Sequence, residues 1–156
     1  MEFEIRRLRP EELEKALALA MDTFLQFEAP DYGPEGVASF RRDIIDNAGF
    51  HEGCRTGENR MWGAFDGAEL VGLFAMRGLS HICLVFIHYA YHRKGIATSI
   101  FCTLLDDVRR ENPDLARLTL NSSPYGKPFY LCVGFRPTDV ELCKDGIVYT
   151  PMEYIL

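Results

Sequence analysis

An apolar strand followed at once by a basic, glycine-containing turn and an amphipathic helix constrains this chain more than any other feature. The strand candidate is Ile82–Ile87, the turn contains Arg93, Lys94 and Gly95, and the helix candidate is Ile96–Arg110. The first turn of a helix carries backbone N–H groups without helical partners, and these favour an anion such as a pyrophosphate. Because a glycine lets the backbone approach such a ligand closely, the sequence predicts an anion-binding turn here.

A second patterned segment follows the first. A short apolar strand, Leu118–Asn121, runs into a polar loop. Pro128 then occupies a position suited to the first turn of a helix, and Gly134 one suited to its end. The spacing predicts a short helix between these two residues.

Both segments resemble motifs of the GNAT superfamily, the acyl-CoA-dependent N-acyltransferases. His92–Ala97 is similar to the family's phosphate-binding motif: Gln or Arg, two residues, Gly, one residue, then Gly or Ala. The chain departs from it at His92, where the family has Gln or Arg. The second segment is similar to the family's other cofactor motif through five residues, Asn121, Phe129, Tyr130, Gly134 and Phe135.

The whole chain has the element order of that family, βααβββαβαββ. The resemblance implies an α/β (α+β) GNAT fold, with a mixed, mostly antiparallel sheet and helices on both faces, in one domain spanning residues 1–156. Apolar periodicity and turn signals predict a first helix from about Pro10, a break at Ala29–Pro34 and a second helix from Glu35. The remaining expectations are a loop or frayed turn over 50–59, a hairpin of 61–65 with 70–76, and a closing hairpin of 140–142 with 147–155.

Composition limits the class of protein. The formal net charge of −6 argues against nucleic-acid binding. No apolar run approaches the roughly 20 residues that span a membrane, and the N-terminus has no signal-peptide core, so a cytoplasmic protein is expected. Five cysteines without a C-x-x-C pair suggest no disulfide framework and no metal site. Four of them, Cys83, Cys102, Cys132 and Cys143, are expected to be buried thiols. A homodimer stays open.

The resemblance implies acetyl-CoA as cosubstrate, held mainly by backbone groups. The residues expected to bind it are Phe86, Ile87, His88, His92, Arg93, Lys94, Gly95, Ile96, Ala97, Thr98, Asn121, Phe129 and Tyr130. His88 could instead act as a base, because histidine titrates near neutrality, but a scaffold role at the strand end is the preferred interpretation.

The family's chemistry is direct attack of a primary amine on the thioester, which assigns roles to a few residues. Tyr130 is expected to assist the departing thiolate, with packing on the pantetheine arm as the alternative. Glu28 is the chosen base, while Asp31, Glu35 or a water chain could replace it. The oxyanion donor is expected at Ile87–Tyr89, where the family's fourth strand carries a bulge.

Asp31, Tyr32 and Tyr125 are expected to line the amine site. The predicted function is therefore N-acetyl transfer to an amine whose identity the chain does not reveal. A longer-chain acyltransferase, or an acyl-CoA sensor without turnover, are the alternatives, since fold alone does not establish activity.

Overall fold

The computed structural model of the protein describes residues 3–156. The helices are α1 (Leu13–Thr23), α2 (Ala29–Phe40), α3 (Ala48–Thr56), α4 (Ile96–Glu111) and α5 (Lys127–Val133). The strands are β1 (Glu4–Arg7), β2 (Asn59–Asp66), β3 (Glu69–Arg77), β4 (His81–Ile87), β5 (Arg117–Ser122), β6 (Arg136–Pro137), β7 (Leu142–Lys144) and β8 (Ile147–Ile155). Within this range no helix combines the length and the apolarity that crossing a bilayer requires.

The sheet is mixed and mostly antiparallel, as predicted. Its strand order is β1-β2-β3-β4-β5-β8-β6, and β7 pairs with β8 in the closing hairpin. β4 and β5 are parallel neighbours and share only two register pairs, His81 with Thr119 and Ile82 with Leu120. Beyond these pairs the two strands diverge, which leaves an opening near the middle of the sheet.

Apolar layers cover both faces of the sheet. Along β3, Leu73 packs with the layer under α1, whereas its neighbour Phe74 packs with the layer under α4, because successive strand residues point to opposite faces. The buried side of α4 includes Phe101 and Leu104. Helices on both faces therefore protect a sheet that has little solvent-exposed surface at its centre.

The break predicted at Ala29–Pro34 is much smaller than expected. Pro30 lies in the first turn of α2, where its missing N–H has no helical partner to lose. Only Gly33 leaves the helical conformation, with φ 69° and ψ −172°, and it kinks the helix. A single π turn at Phe24–Glu28 joins α1 to α2, so the helical path is nearly continuous.

The loop predicted over residues 50–59 is wrong, because most of it forms α3. The Asn47 side chain caps this helix by accepting from the Phe50 N–H at 2.8 Å, and Gly57 ends it with φ 89°. Phe50 and Cys54, four residues apart, supply the buried side. The polar and glycine-rich composition of the segment concealed this short apolar stripe.

Three of the four cysteines predicted to be buried are exposed. Cys102, Cys132 and Cys143 lie on solvent-facing sides of their elements, whereas Cys54 is buried. Cys83 is half-buried at an irregularity of β4, where Met76 faces Ile82 and Ala75 faces Leu84. The family resemblance implied a bulge of β4 at Ile87–Tyr89. The structure has the bulge at Cys83 instead.

Candidate active site

A cleft of about 680 Å³ occupies the opening beside β4. Four parts of the chain enclose it: the end of β4, the first turn of α4, the start of α5 and the α1–α2 junction. The lining residues are Thr23, Phe27, Glu28, Val85, Phe86, Ile87, Tyr91, His92, Arg93, Gly95, Ile96, Ala97, Thr98, Tyr125, Gly126, Pro128, Phe129 and Tyr130.

The turn before α4 presents backbone donors to the cleft. Gly95 has φ 74°, and a Cβ built on it would meet no atom within 4 Å. Ser99 N–H makes the first helical bond, to the Gly95 carbonyl at 3.0 Å, so the N–H groups of residues 96–98 have no helical acceptor. Arg93 also has positive φ, 62°. Turns that combine right-handed and left-handed residues direct successive backbone N–H groups into a concave anion site. This geometry suits a pyrophosphate.

The cleft edge of β4 offers main-chain polar groups. In an antiparallel pair, alternate residues exchange both of their backbone bonds with the partner strand. His88 N–H donates to the Val71 carbonyl at 2.8 Å, so His88 and Phe86 face β3 while Val85 and Ile87 face the opening. Of the predicted donors, His88 N–H is thus already used, and Ile87 N–H is directed toward the cleft.

His92 ties three parts of the cleft together. Its Nε2 lies 2.7 Å from the Ile87 oxygen, and because a carbonyl only accepts, this nitrogen is the donor. Its Nδ1 lies 3.4 Å from the Tyr125 hydroxyl. Phe27 stacks on Tyr125 with ring centres 5.1 Å apart and contacts the His92 ring at 4.8 Å. Phe27 was missed in the sequence because nothing marks its position in the π turn.

The inner end of the cleft meets a second cavity of about 250 Å³, here called the second chamber. The residues shared by the two cavities are Glu28, Val85, Phe86 and Tyr130. The chamber is further lined by Phe24, Tyr32, Ser39, Phe40, Asp43, Ile44, Arg77, His81, Ile82, Cys83, Leu84, Leu120, Asn121, Ser123 and Ile147. A molecule in the cleft and another in the chamber would therefore meet beside Glu28 and Tyr130.

Glu28 has the properties of a base that works near neutral pH. Burial raises the pKa of its carboxyl to about 7, the charge of Asp31 acts in the same direction, and hydrogen bonding with Ser123 opposes both. Such a group exchanges its proton over the physiological range.

Tyr130, in contrast to Glu28, has the properties of a proton donor. Burial raises the pKa of its phenol well above the usual value, with the charge of Glu28 and then Tyr32 adding to the effect. Within residues 3–156 its hydroxyl has no hydrogen-bond partner, yet the oxygen is not sealed from the cavities. The phenol is thus protonated and available as a donor. Gly126 makes room for this ring, since a Cβ there would lie 2.9 Å from it.

The other predicted site residues divide between the two cavities or lie outside them. Phe129 and Tyr125 line the cleft, while Tyr32 and Asn121 line the chamber. Lys94, Asp31 and Glu35 are exposed and line neither cavity.

His88 serves as a local scaffold. Its Nδ1 accepts from Ala90 N–H at 3.1 Å and its ring stacks on Tyr89. Among the described residues no group of three or more His, Cys, Asp or Glu side chains is arranged to hold a metal ion.

Comparison with known proteins agrees with this architecture. Residues 28–156 match the family model of the acetyltransferase (GNAT) domain. The chain therefore belongs to the GNAT acetyltransferases, a family of acyltransferases. Comparison with curated protein sequences finds no match.

Many solved structures share the fold. A GCN5-related N-acetyltransferase from Rhodopseudomonas palustris has a TM-score of 0.80 at 20% identity, covering 100% of this chain and 97% of that one. PaiA N-acetyltransferase from Thermoplasma acidophilum, solved in complex with coenzyme A, has the same TM-score and identity, with 100% of both chains covered. An acyl-CoA N-acyltransferase from Pseudomonas aeruginosa reaches 0.65 at 14% identity, with 98% of each chain covered. At these identities the likeness establishes the fold alone.

Proposed function

We propose that this protein transfers an acetyl group from acetyl-CoA to a primary amine by direct attack, with both substrates bound at once. The observation that supports it most strongly is the junction of two cavities at Glu28 and Tyr130. One cavity offers backbone donors for a pyrophosphate, and the other opens toward the same two side chains from the acceptor side.

The cleft fits the cosubstrate in three places. The N–H groups at the start of α4 would receive the pyrophosphate. The polar main-chain groups of Val85, which face the opening, would pair with the amides of the pantetheine arm, as a further strand would. Acetyl-CoA supplies the activated acyl group, and the protein supplies position, proton transfer and charge stabilisation.

Glu28 would assist deprotonation of the amine, which is the main energetic barrier on the acceptor side. A lysine-like amine with a pKa of about 10.4 costs roughly 4–5 kcal/mol to deprotonate at pH 7. In our proposal the ionised Glu28 carboxylate takes this proton as the amine nitrogen bonds to the acetyl carbon.

Two further groups stabilise negative charge on the other side of the reaction. Ile87 N–H, which is directed toward the cleft, would donate to the charge that develops on the carbonyl oxygen. As the carbon–sulfur bond breaks, the Tyr130 phenol gives its proton to the leaving sulfur, which ends as the free thiol. The second proton lost by the attacking nitrogen returns to the phenolate, so that Tyr130 is restored and Glu28 carries the one proton released to solvent.

A panel of primary amines incubated with acetyl-CoA tests this function. Free thiol is followed spectroscopically, and the acetylated amine is identified by mass spectrometry. Amine-dependent thiol release with matching product supports transfer. Tight CoA binding by calorimetry without product from any amine would instead indicate the acyl-CoA sensor, and absence of CoA binding would refute both.

A further inference from the structure

The second chamber has residues of opposite charge at its two ends. Glu28 lies at the inner end, beside the cleft, and Arg77 lines the outer part at the end of β3. Arg77 faces His81 across the β3–β4 pair. Within residues 3–156 Arg77 takes part in no ion pair. Its guanidinium is therefore available to a ligand.

The other polar groups of the chamber are already compensated or neutral. Both oxygens of Asp43 accept from Arg42, at 2.9 and 3.2 Å, and the same guanidinium lies 3.6 Å from Asp145. His81 Nδ1 lies 2.9 Å from the Thr119 hydroxyl, and burial followed by the charge of Arg77 lowers the pKa of its ring. Tyr32 stays protonated, since burial raises the pKa of its phenol. Arg77 is thus the uncompensated charge of the outer chamber.

Aromatic and aliphatic side chains form part of the wall between the two charged ends. Phe24 and Phe40 stack with their ring centres 4.1 Å apart, and Phe24 also contacts the Tyr32 ring. Leu84 and Ile147 add aliphatic surface. A methylene chain in the middle of a ligand would be desolvated against these apolar side chains.

We infer that the acceptor is an ω-amino carboxylate: its amine lies at Glu28, its carboxylate pairs with Arg77, and an apolar spacer crosses the chamber. This inference rests on the proposed function. Arg77 is level with His81, and Phe86 at the junction lies five residues further along β4, roughly 16 Å of backbone at the rise of a strand. The Glu28 and Arg77 side chains both line the chamber and take up part of this distance, so the ligand spans only the remainder. An α-amino acid holds both groups on one carbon and is too short to reach both ends.

A matched set of acceptors isolates the carboxylate. We compare 6-aminohexanoate with 6-aminohexanamide, which differs only in the charge of its far end, and include 4-aminobutanoate and 1,6-diaminohexane. A guanidinium–carboxylate pair in a partly open site should give about tenfold higher kcat/KM for 6-aminohexanoate than for its amide. Shortening the spacer to 4-aminobutanoate should lose most of that gain.

Substitution of Arg77 assigns the preference to this side chain. In Arg77→Met the ratio of kcat/KM between 6-aminohexanoate and its amide should fall to near one. In Arg77→Glu the preferred acceptor should become 1,6-diaminohexane. The control is Arg109→Met, which removes an equal charge from an exposed position in the last turn of α4 and should leave the ratio unchanged.

A binding measurement separates this inference from the proposed function. Hexanoate and hexanamide lack the amine, so calorimetry on the CoA-loaded protein reports the anion site without turnover. Hexanoate should bind about tenfold more tightly than hexanamide, and only while Arg77 is present. If amines are acetylated but the charge of the far end has no effect, the inference is overturned and the function stands. If hexanoate binding depends on Arg77 and no amine is acetylated, the proposed function fails instead.

Discussion

Replacing Glu28 with glutamine should remove the pH dependence of the reaction as well as most of its rate. With a pKa of about 7, the carboxylate fraction is about 0.1 at pH 6 and about 0.9 at pH 8. In the native protein kcat/KM should therefore rise about tenfold between these values and then level off. Glu28→Gln keeps the size of the side chain but cannot accept the proton, so kcat should fall about 100-fold at pH 8.

The same carboxyl should affect stability, with a sign that follows from the direction of its shift. Its pKa is raised from the ordinary value of 4.5 to about 7 on folding, so the folded state binds more protons between these values. The free energy of unfolding then decreases as pH rises through this window. At 1.36 kcal/mol for each pKa unit, the decrease attributable to Glu28 is about 3 kcal/mol. Glu28→Gln should remove that decrease and be more stable than the native protein at pH 8.

Two measurements check this pair of effects. Initial rates with a fixed good acceptor are recorded from pH 5.5 to 8.5, and urea unfolding is followed at pH 4.5 and pH 8. Glu35→Gln is the matched control, since Glu35 is an exposed carboxylate of α2 that lines neither cavity. An unchanged rate profile in Glu28→Gln, with chemistry limiting, would exclude Glu28 as the base. Equal pH dependence of stability in both variants would show that its carboxyl is not desolvated.

Three further substitutions test the cleft. Tyr130→Phe keeps the ring and removes the donor, so kcat should fall roughly 10–1000-fold at little cost in CoA affinity; a native kcat with limiting chemistry would remove Tyr130 from the mechanism. Gly95→Val should abolish CoA binding measured by calorimetry. The control Gly57→Val introduces the same left-handed strain in equally open surroundings and should bind CoA normally. Unchanged affinity in folded Gly95→Val would contradict the pyrophosphate assignment. His92→Gln should leave CoA affinity within a few-fold, because an amide can also donate to the Ile87 carbonyl; a loss above about 100-fold, or 2.7 kcal/mol, would show that the imidazole itself is required.

Local patterns predicted the parts of the fold that local chemistry determines. The strand, turn and helix around Gly95, and the helix ended by Gly134, are present with both glycines at positive φ. The β2–β3 hairpin is also confirmed. In contrast, α3 was missed because its apolar stripe consists of only Phe50 and Cys54, within an otherwise polar segment.

Prediction of the site required more knowledge of the tertiary structure than prediction of the fold did. Sequence alone offered three carboxylates between the first two helices. Their environments diverge only because the π turn at Phe24–Glu28 directs Glu28 inward, while Asp31 and Glu35 remain exposed. Arg77 was missed altogether, since its relation to Glu28 exists only through the pairing of β3 with β4.

The divergence of β4 from β5 also has a consequence for local unfolding of the sheet. Two register pairs are all that the β4–β5 ladder contributes, whereas β3–β4 and β5–β8 are paired over most of their lengths. The strands on either side of the opening should then exchange their amide hydrogens as two separate cooperative units, the β5–β8 side opening at lower free energy than β2–β4. A cosubstrate whose arm bridges the opening would supply hydrogen bonds in place of those that β4 and β5 do not make with each other. Saturating CoA should therefore merge the two units into one, slowing exchange in β5 and β8 as well as in the residues it contacts.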